Sequence, residues 1–188
     1  WYSNTTNSNV GGNIIPGANS NSYTPPTFTS TGNNYYYCEV SLSGNGCDNV
    51  TSAVAEIQVF NDPTVTDPIT TQQICENTIP TDLQVSASGG MPGATFTYQW
   101  YSNTANSNSG GTQILGATNS TYTPSTVASG ITYYYCVVQQ NNGNSGCETV
   151  SNTAEVIVNP GPSFNTQPQD IHVCEGANIS APLTVSYI

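Results

Sequence analysis

The sequence contains no lysine and no arginine. Against that stand eleven acidic residues and a single histidine, for a formal net charge of −11. Nucleic acids and anionic lipids are bound through cations that face phosphate, so the composition argues against both as partners. Charge of either sign is scarce, at 6% of residues, so Asn, Ser, Thr and Gln must supply the wetted surface. No apolar run approaches the roughly 18 residues of a membrane-spanning helix, and no membrane insertion is expected. Motifs of chemistry are missing too: there is no GxSxG, HExxH, P-loop or GxGxxG pattern. The lone His172 has no Ser or Cys nucleophile motif beside it, and the acids are scattered rather than paired, so an enzyme is not expected.

Aromatic residues, by contrast, are plentiful: twelve Tyr and two Trp, with regularly placed Val, Ile and Leu, give enough apolar area for a packed core. They recur. WYSNTTNSNVGGNIIPGANSNSYTPP at 1–26 aligns without a gap on WYSNTANSNSGGTQILGATNSTYTPS at 100–125, with 16 of 26 positions identical. YYYC at 35–38 returns at 133–136, AEIQV at 55–59 as AEVIV at 154–158, and ICE at 74–76 as VCE at 173–175. A period near 99 residues is too long for a solenoid and fits tandem copies of a whole domain.

Within one period the pattern is β throughout. Leu83, Val85 and Ala87 alternate with Gln84 and Ser86, and Phe96, Tyr98 and Trp100 alternate with Thr97 and Gln99. Gly-Gly, Pro-Gly and Asn-Gly pairs punctuate the strands. The expected fold is all-β: tandem immunoglobulin-like β-sandwiches of about seven strands each. In the complete copy, strand A falls near 64–75, B near 82–88, C near 95–102, the middle strands within 112–124, F at 132–140 and G at 147–158. Trp1 and Trp100 are the expected core tryptophans. Tyr36 and Tyr134, two residues before a cysteine, are the expected core tyrosines of strand F. On this frame residues 1–61 are strands C to G of one domain, 62–160 are a complete domain, and 161–188 are strands A and B of a third. A window on a longer protein is expected. The rival is a chain whose terminal strands complete a neighbouring molecule.

Six cysteines, three per period, suggest an oxidising, extracellular location. Strand B carries Val85 and Ala87, so the usual bridge between strands B and F is not expected. The tentative pairing joins F to G, as Cys38–Cys47 and Cys136–Cys147. A turn centred on Asn142-Gly143 would instead set Cys147 across from Val138, and Cys75–Cys147 and Cys75–Cys136 stay open. Without a CxxC motif no thiol-bound zinc is expected, and no cofactor is assigned. Asp62 and Asp67, at the junction of two domains, are weak calcium candidates, weighed against solvated linker charge. The repeated Tyr35–Tyr37 and Tyr133–Tyr135 runs could form a sugar-stacking platform, but one face of strand F must be core, and ordinary packing is preferred. The Asn/Ser/Thr segments 3–9 and 102–109 read as exposed loops. Sequons stand at Asn4, Asn49, Asn119 and Asn178.

Taken in order, Tyr98-Gln-Trp-Tyr101, Gly116-Ala117, Tyr122-Thr-Pro124, Tyr134-Tyr-Cys136, Gly146-Cys147 and Ser151-Asn-Thr-Ala-Glu-Val-Ile-Val158 resemble the immunoglobulin-like repeats of very large Bacteroidetes surface proteins. That group includes gliding-motility adhesins exported by the type IX system. The likeness covers essentially the whole chain and offers no catalytic residues. It implies a repeat segment of a secreted cell-surface adhesin or filament, partnered by neighbouring repeats and by surface polysaccharide or further copies. The alternatives are a self-assembling fibre subunit closed by strand exchange and a carbohydrate-binding module. The absence of Lys and Arg departs from the commonest form of these repeats.

Overall fold

A computed structural model describes residues 1–42, 48–68, 71–141 and 147–188. The chain divides into two units. The first holds Trp1–Thr64 with Ser88–Thr95 and Gln140–Cys147; the second holds Val65–Ala87, Phe96–Gln139 and Glu148–Ile188. The described residues form strands and turns without a helix, and the architecture is all-β and sandwich-type.

Residues 1–61 supply β1 (Tyr2–Asn4), β2 (Asn13–Ile14), β3 (Gly32–Tyr37), β4 (Glu39–Val40), β5 (Val50–Thr51) and β6 (Ala55–Val59). They form a sheet in the order β2-β1-β3-β6 and a small β4-β5 ribbon. The register pairs Tyr2 with Tyr37 and Tyr36 with Ala55.

The next period is built from β7 (Pro63–Val65), β8 (Thr71–Cys75), β9 (Leu83–Gln84), β10 (Ala87–Gly89), β11 (Thr95–Asn103), β12 (Thr112–Gln113), β13 (Thr121–Tyr122), β14 (Gly130–Asn141), β15 (Cys147–Val150) and β16 (Ala154–Asn159). One sheet runs β12-β11-β14-β16-β8, with β15 also on β14. Facing strands come from the β13-β9 and β10-β7 pairs. Trp100, Leu83, Val85, Tyr134, Cys136, Val138, Ala154, Val156 and Val158 form one buried cluster. The alternation along β16, with Ala154, Val156 and Val158 buried and Glu155 and Ile157 between them, is what a one-sided sheet requires.

Two expected strands are broken. Strand A is split into β7, antiparallel-ribbon partner of β10, and β8, which runs parallel to β16. The break contains Pro68, which has no N–H to give a ladder. Strand G is split into β15 and β16 at Ser151–Thr153, where the Asn152 N–H leaves the ladder and donates to Asp67 Oδ1 at 2.9 Å.

The last strands, β17 (Phe164–Thr166) and β18 (Ser186–Tyr187), form an antiparallel pair. It repeats an earlier arrangement closely. Ser186 N donates to Thr166 Oγ1 at 3.0 Å, as Ser86 N donates to Thr66 Oγ1 at 2.8 Å.

Candidate functional site

The repeated letters build the same structure twice. Trp100 Nε1 donates to the Asn119 carbonyl and Trp1 Nε1 to the Ser20 carbonyl, both at 2.9 Å. Each tryptophan heads a ladder of rings: Trp100–Tyr122–Tyr134 at centroid separations of 5.8 and 5.5 Å, and Trp1–Tyr23–Tyr36 at 6.2 and 5.8 Å. Burial, and then the neighbouring phenol, raises the pKa of Tyr134 and of Tyr36. Trp100, Tyr134 and Tyr36 are buried as expected, whereas Trp1 is only half-buried.

On the opposite face the next tyrosine of each run does separate work. Tyr135 stacks on Tyr101 with centroids 5.2 Å apart, and its hydroxyl accepts the Gly111 N–H at 3.0 Å. Tyr37 stacks on Tyr2 at 5.0 Å and accepts the Gly12 N–H at 3.0 Å. A Cβ at Gly111 would sit 2.7 Å from the Ser102 carbonyl oxygen and 2.9 Å from the Tyr135 ring; at Gly12 both contacts would be 2.8 Å. The glycine pairs are therefore more than turn punctuation: only a residue without a side chain lets backbone meet the phenol. Gly111→Ala is expected to destabilise by about 1–3 kcal/mol, read as a lowered urea midpoint with unchanged m.

The Asn/Ser/Thr segments are ordered by their own amides rather than left as plain exposed loops. Asn103 Nδ2 donates to the Ser107 and Ser109 carbonyls at 3.1 and 3.2 Å, and Asn4 Nδ2 to the Ser8 and Val10 carbonyls at 2.9 and 3.2 Å. Asn108 then ties its loop to the Ser151 carbonyl, as Asn9 does to that of Ser52. Sequence reasoning took Asn4 only as a sequon and Gly111 only as turn punctuation, and passed over Asn103 and Gly12, although the identity of these positions in both copies was the available signal.

The matched acids also have structural partners. Glu76 accepts the Ser129 N–H at 2.8 Å and the Gly161 N–H at 3.4 Å. Its pKa is lowered, chiefly by the bond to Ser129 and then by Gly161. The stabilisation it supplies is present above the ordinary glutamate pKa and is lost as pH falls through its depressed one. Glu155 accepts the Tyr133 hydroxyl at 2.9 Å, and this bond raises the tyrosine pKa. Asp67 spends both oxygens on Asn152, at 2.9 and 2.8 Å, and Asp82 accepts from Thr123. Asp62 and His172 are exposed. Among the described residues no three His, Cys, Asp or Glu side chains come together as a metal site.

The tentative Cys136–Cys147 bridge is not made: both are free thiols, as are Cys75 and Cys174. Register is the reason. Ser151 N donates to the Cys136 carbonyl at 3.0 Å, and Gln139 reaches Glu148 across the same pair of strands. Counting back antiparallel from Ser151 sets Cys147 beside Gln140, four residues along from Cys136. That is about 13 Å, against a limit near 7 Å for bridged Cα atoms. The alternative partner, Val138, is displaced by the same register. The open pairings of Cys75 with Cys147 or Cys136 are likewise not made. Cys47 lies outside the described residues, so the Cys38–Cys47 pairing does too.

Cys136 is wholly buried in the apolar cluster, and burial pushes its thiol up to about 11. Of the described cysteines, exposed Cys75 and Cys174 should react with a maleimide within minutes at neutral pH, and Cys136 only after denaturation, as read by peptide mass mapping.

Among the described residues one concave surface, of about 610 Å³, is lined by Thr66, Asp67, Thr81, Asp82, Gln84, Val85 and Ser86, and another lies on the outer face of the main sheet. The second is a groove of about 320 Å³ lined by Thr97, Gln99, Tyr101, Gln113, Val137 and Gln139. Gln113 Nε2 donates to Gln99 Oε1 at 3.0 Å, and Gln99 Nε2 donates to the Ile114 carbonyl at 2.8 Å, so the amides are held in fixed orientation. Such a lining offers neutral donors and acceptors beside a ring. The groove lining has no carboxylate, imidazole or thiol.

No curated protein matches the chain. A family model described as a domain of unknown function (DUF8696) matches residues 67–160, the span of the best-covered core. The chain belongs to that family.

Proposed function

We propose that the chain is a load-bearing stretch of tandem repeats in a long, secreted cell-surface adhesin or filament. The observation that carries this reading is the parallel pairing of β8 with β16, in register from Thr71 opposite Glu155 to Cys75 opposite Asn159. These are early and late strands of one repeat lying side by side in the same direction. Tension that draws the two ends of the repeat apart loads all their hydrogen bonds together in shear instead of opening them singly. The internally satisfied amide loops, duplicated in both copies, support a scaffold role for the polar residues. The adhesin setting rests on the resemblance of the repeats.

Force spectroscopy on the full chain tests this. A distinct force peak is expected, lowered in Gln73→Pro, which deletes an N–H within β8. Equal peak forces in the two chains would contradict a load-bearing role for β8 and β16.

The groove at Tyr101, Gln113 and Gln139 favours a second reading, binding of a neutral polysaccharide. Screening the full chain against a glycan array, with Gln113→Ala as control, decides it: binding lost in the variant supports it, and silence across the array removes it.

A further inference from the structure

Where the complete repeat ends, one glutamate joins three segments. β8 stops at Cys75, opposite Asn159 at the last position of β16. The chain then turns: Thr78 N donates to the Cys75 carbonyl at 3.3 Å, and Asn77 takes φ +61, a left-handed conformation that Asn tolerates. Glu76 stands inside this turn. Its N–H donates to the Asn159 carbonyl at 2.9 Å, and its side chain accepts the Ser129 N–H at 2.8 Å and the Gly161 N–H at 3.4 Å. The same turn is built in the next period, where Ala177 N donates to the Cys174 carbonyl at 3.1 Å and Gly176 has φ +81 after Glu175.

The linker that follows has few groups by which it can be held. Between β16 and β17 lie Pro160, Gly161, Pro162 and Ser163. Proline carries no N–H, so across 160–162 Gly161 owns the only backbone donor, and Glu76 accepts it. Two amide bonds steady the strand end before the linker: Asn159 Nδ2 donates to the Ile74 carbonyl and Gln73 Nε2 to Asn159 Oδ1, each at 3.4 Å. Glu76 thus straddles Pro160, bonded through its backbone to residue 159 and through its carboxylate to residue 161. What faces that carboxylate is polar and neutral: the Ser129 amide and side chain and the Gly161 amide. Of the titratable groups on the same elements, Cys75 adjoins it and is exposed, while Glu155 lies at the far end of the β8–β16 pairing, opposite Thr71.

We propose that Glu76 is a latch on the linker: its carboxylate ties Gly161 to the body of the repeat, and protonation releases residues 160–163 as a hinge. Ionised, the carboxylate accepts both amides at once, and the course of the chain out of β16 is set. A protonated carboxyl keeps one good acceptor and adds a donor beside two N–H groups, so one amide is let go. The longer bond, at 3.4 Å to Gly161 against 2.8 Å to Ser129, opens first. The hydrogen bonds lower the Glu76 pKa, so release falls below the usual glutamate range, and the latch is closed at neutral pH. The core is untouched, because Trp100, Val156 and Val158 are held by apolar packing. The proposal needs neither the adhesin reading nor the polysaccharide groove, and its failure would leave both standing.

Amide NMR on the full chain, titrated between about pH 7 and pH 3, tests it. The Gly161 and Ser129 amide shifts should move together, with one midpoint below the ordinary glutamate value. Over the same range Gly161 hydrogen exchange, corrected for its intrinsic pH dependence, should quicken about threefold. Glu76→Gln keeps one acceptor and cannot ionise. At neutral pH it should show the Gly161 exchange and heteronuclear NOE of the acidified wild-type chain, with neither amide titrating, while its far-UV spectrum and the Val156 amide stay as in wild type. Glu175→Gln removes an equal charge from the matching turn and should leave Gly161 as in wild type. A Gly161 amide that does not titrate with that of Ser129, or one as slow in Glu76→Gln as in wild type, overturns the proposal. Equal loosening in Glu175→Gln would assign the effect to net charge and overturn it likewise.

Discussion

Trp100→Ala is expected to cost about 3–5 kcal/mol, enough to take most of the stability of a repeat of this size. The side chain is wholly buried, its indole N–H is bonded to the Asn119 carbonyl, and its ring heads the stack on Tyr122 and Tyr134. Truncation opens a cavity that Leu83, Val85 and Val156 cannot fill without losing their own contacts, because interiors of this density relax only in part. The matched change Trp1→Ala removes the same ring with the same hydrogen bond, but from a half-buried position, and should cost less than half as much. Urea denaturation of the two variants, each against the wild-type chain, reads the difference. Equal losses would show that the two tryptophans share the same surroundings.

Gln140→Ala is expected to cost about 2–4 kcal/mol, an unusual loss for a glutamine. Gln140 is 1% exposed. Its Oε1 accepts the Met91 N–H at 2.6 Å, and its Nε2 donates to the Gly89 carbonyl at 3.1 Å. The amide thus replaces a piece of backbone ladder and fixes the turn at Gly89-Gly90. Gly90 has φ +69, and a Cβ there would fall 2.0 Å from Gln140 Oε1. Gln140→Leu keeps the volume and removes the bonds, so its loss measures the hydrogen bonds alone. Gln140→Glu keeps the shape and should be worse than either at neutral pH, since it buries a carboxylate beside the Gly89 carbonyl. Thermal or urea midpoints of the three variants supply the comparison, and a Gln140→Ala midpoint within error of wild type would remove this role.

The all-β architecture was legible because the alternation at Leu83–Ala87 and Phe96–Trp100 is strict and the repeat doubled the signal. Trp100, Tyr134 and Tyr36 were legible for the same reason: a large aromatic on the inward parity of a strand has one place to go. Parity, however, says nothing about where a strand changes partner. The break at Ser151–Thr153 goes with a side chain to backbone bond, Asn152 N–H to Asp67, between residues 85 apart in sequence. Disulfide pairing failed because register hangs on the length of one hairpin, where a shift of two residues across the ladder moves Cys147 from Val138 to Gln140. Gln140, buried on a strand end, was invisible because its partners are backbone groups that leave no mark in composition. The outer-face groove was not legible: the glutamines of three different strands converge through register alone.

The central claim is that one β-sandwich pattern is laid down twice, fully covered in one copy and open in the other. Hydrogen exchange on the full chain tests this most directly. Segments 120–123 and 71–75 should be protected, while their counterparts 21–24 and 170–174 exchange freely, and the Gly12 and Gly111 amides should be slow alike. Equal protection of 21–24 and 120–123, or a fast Gly12 amide beside a slow Gly111, would contradict it.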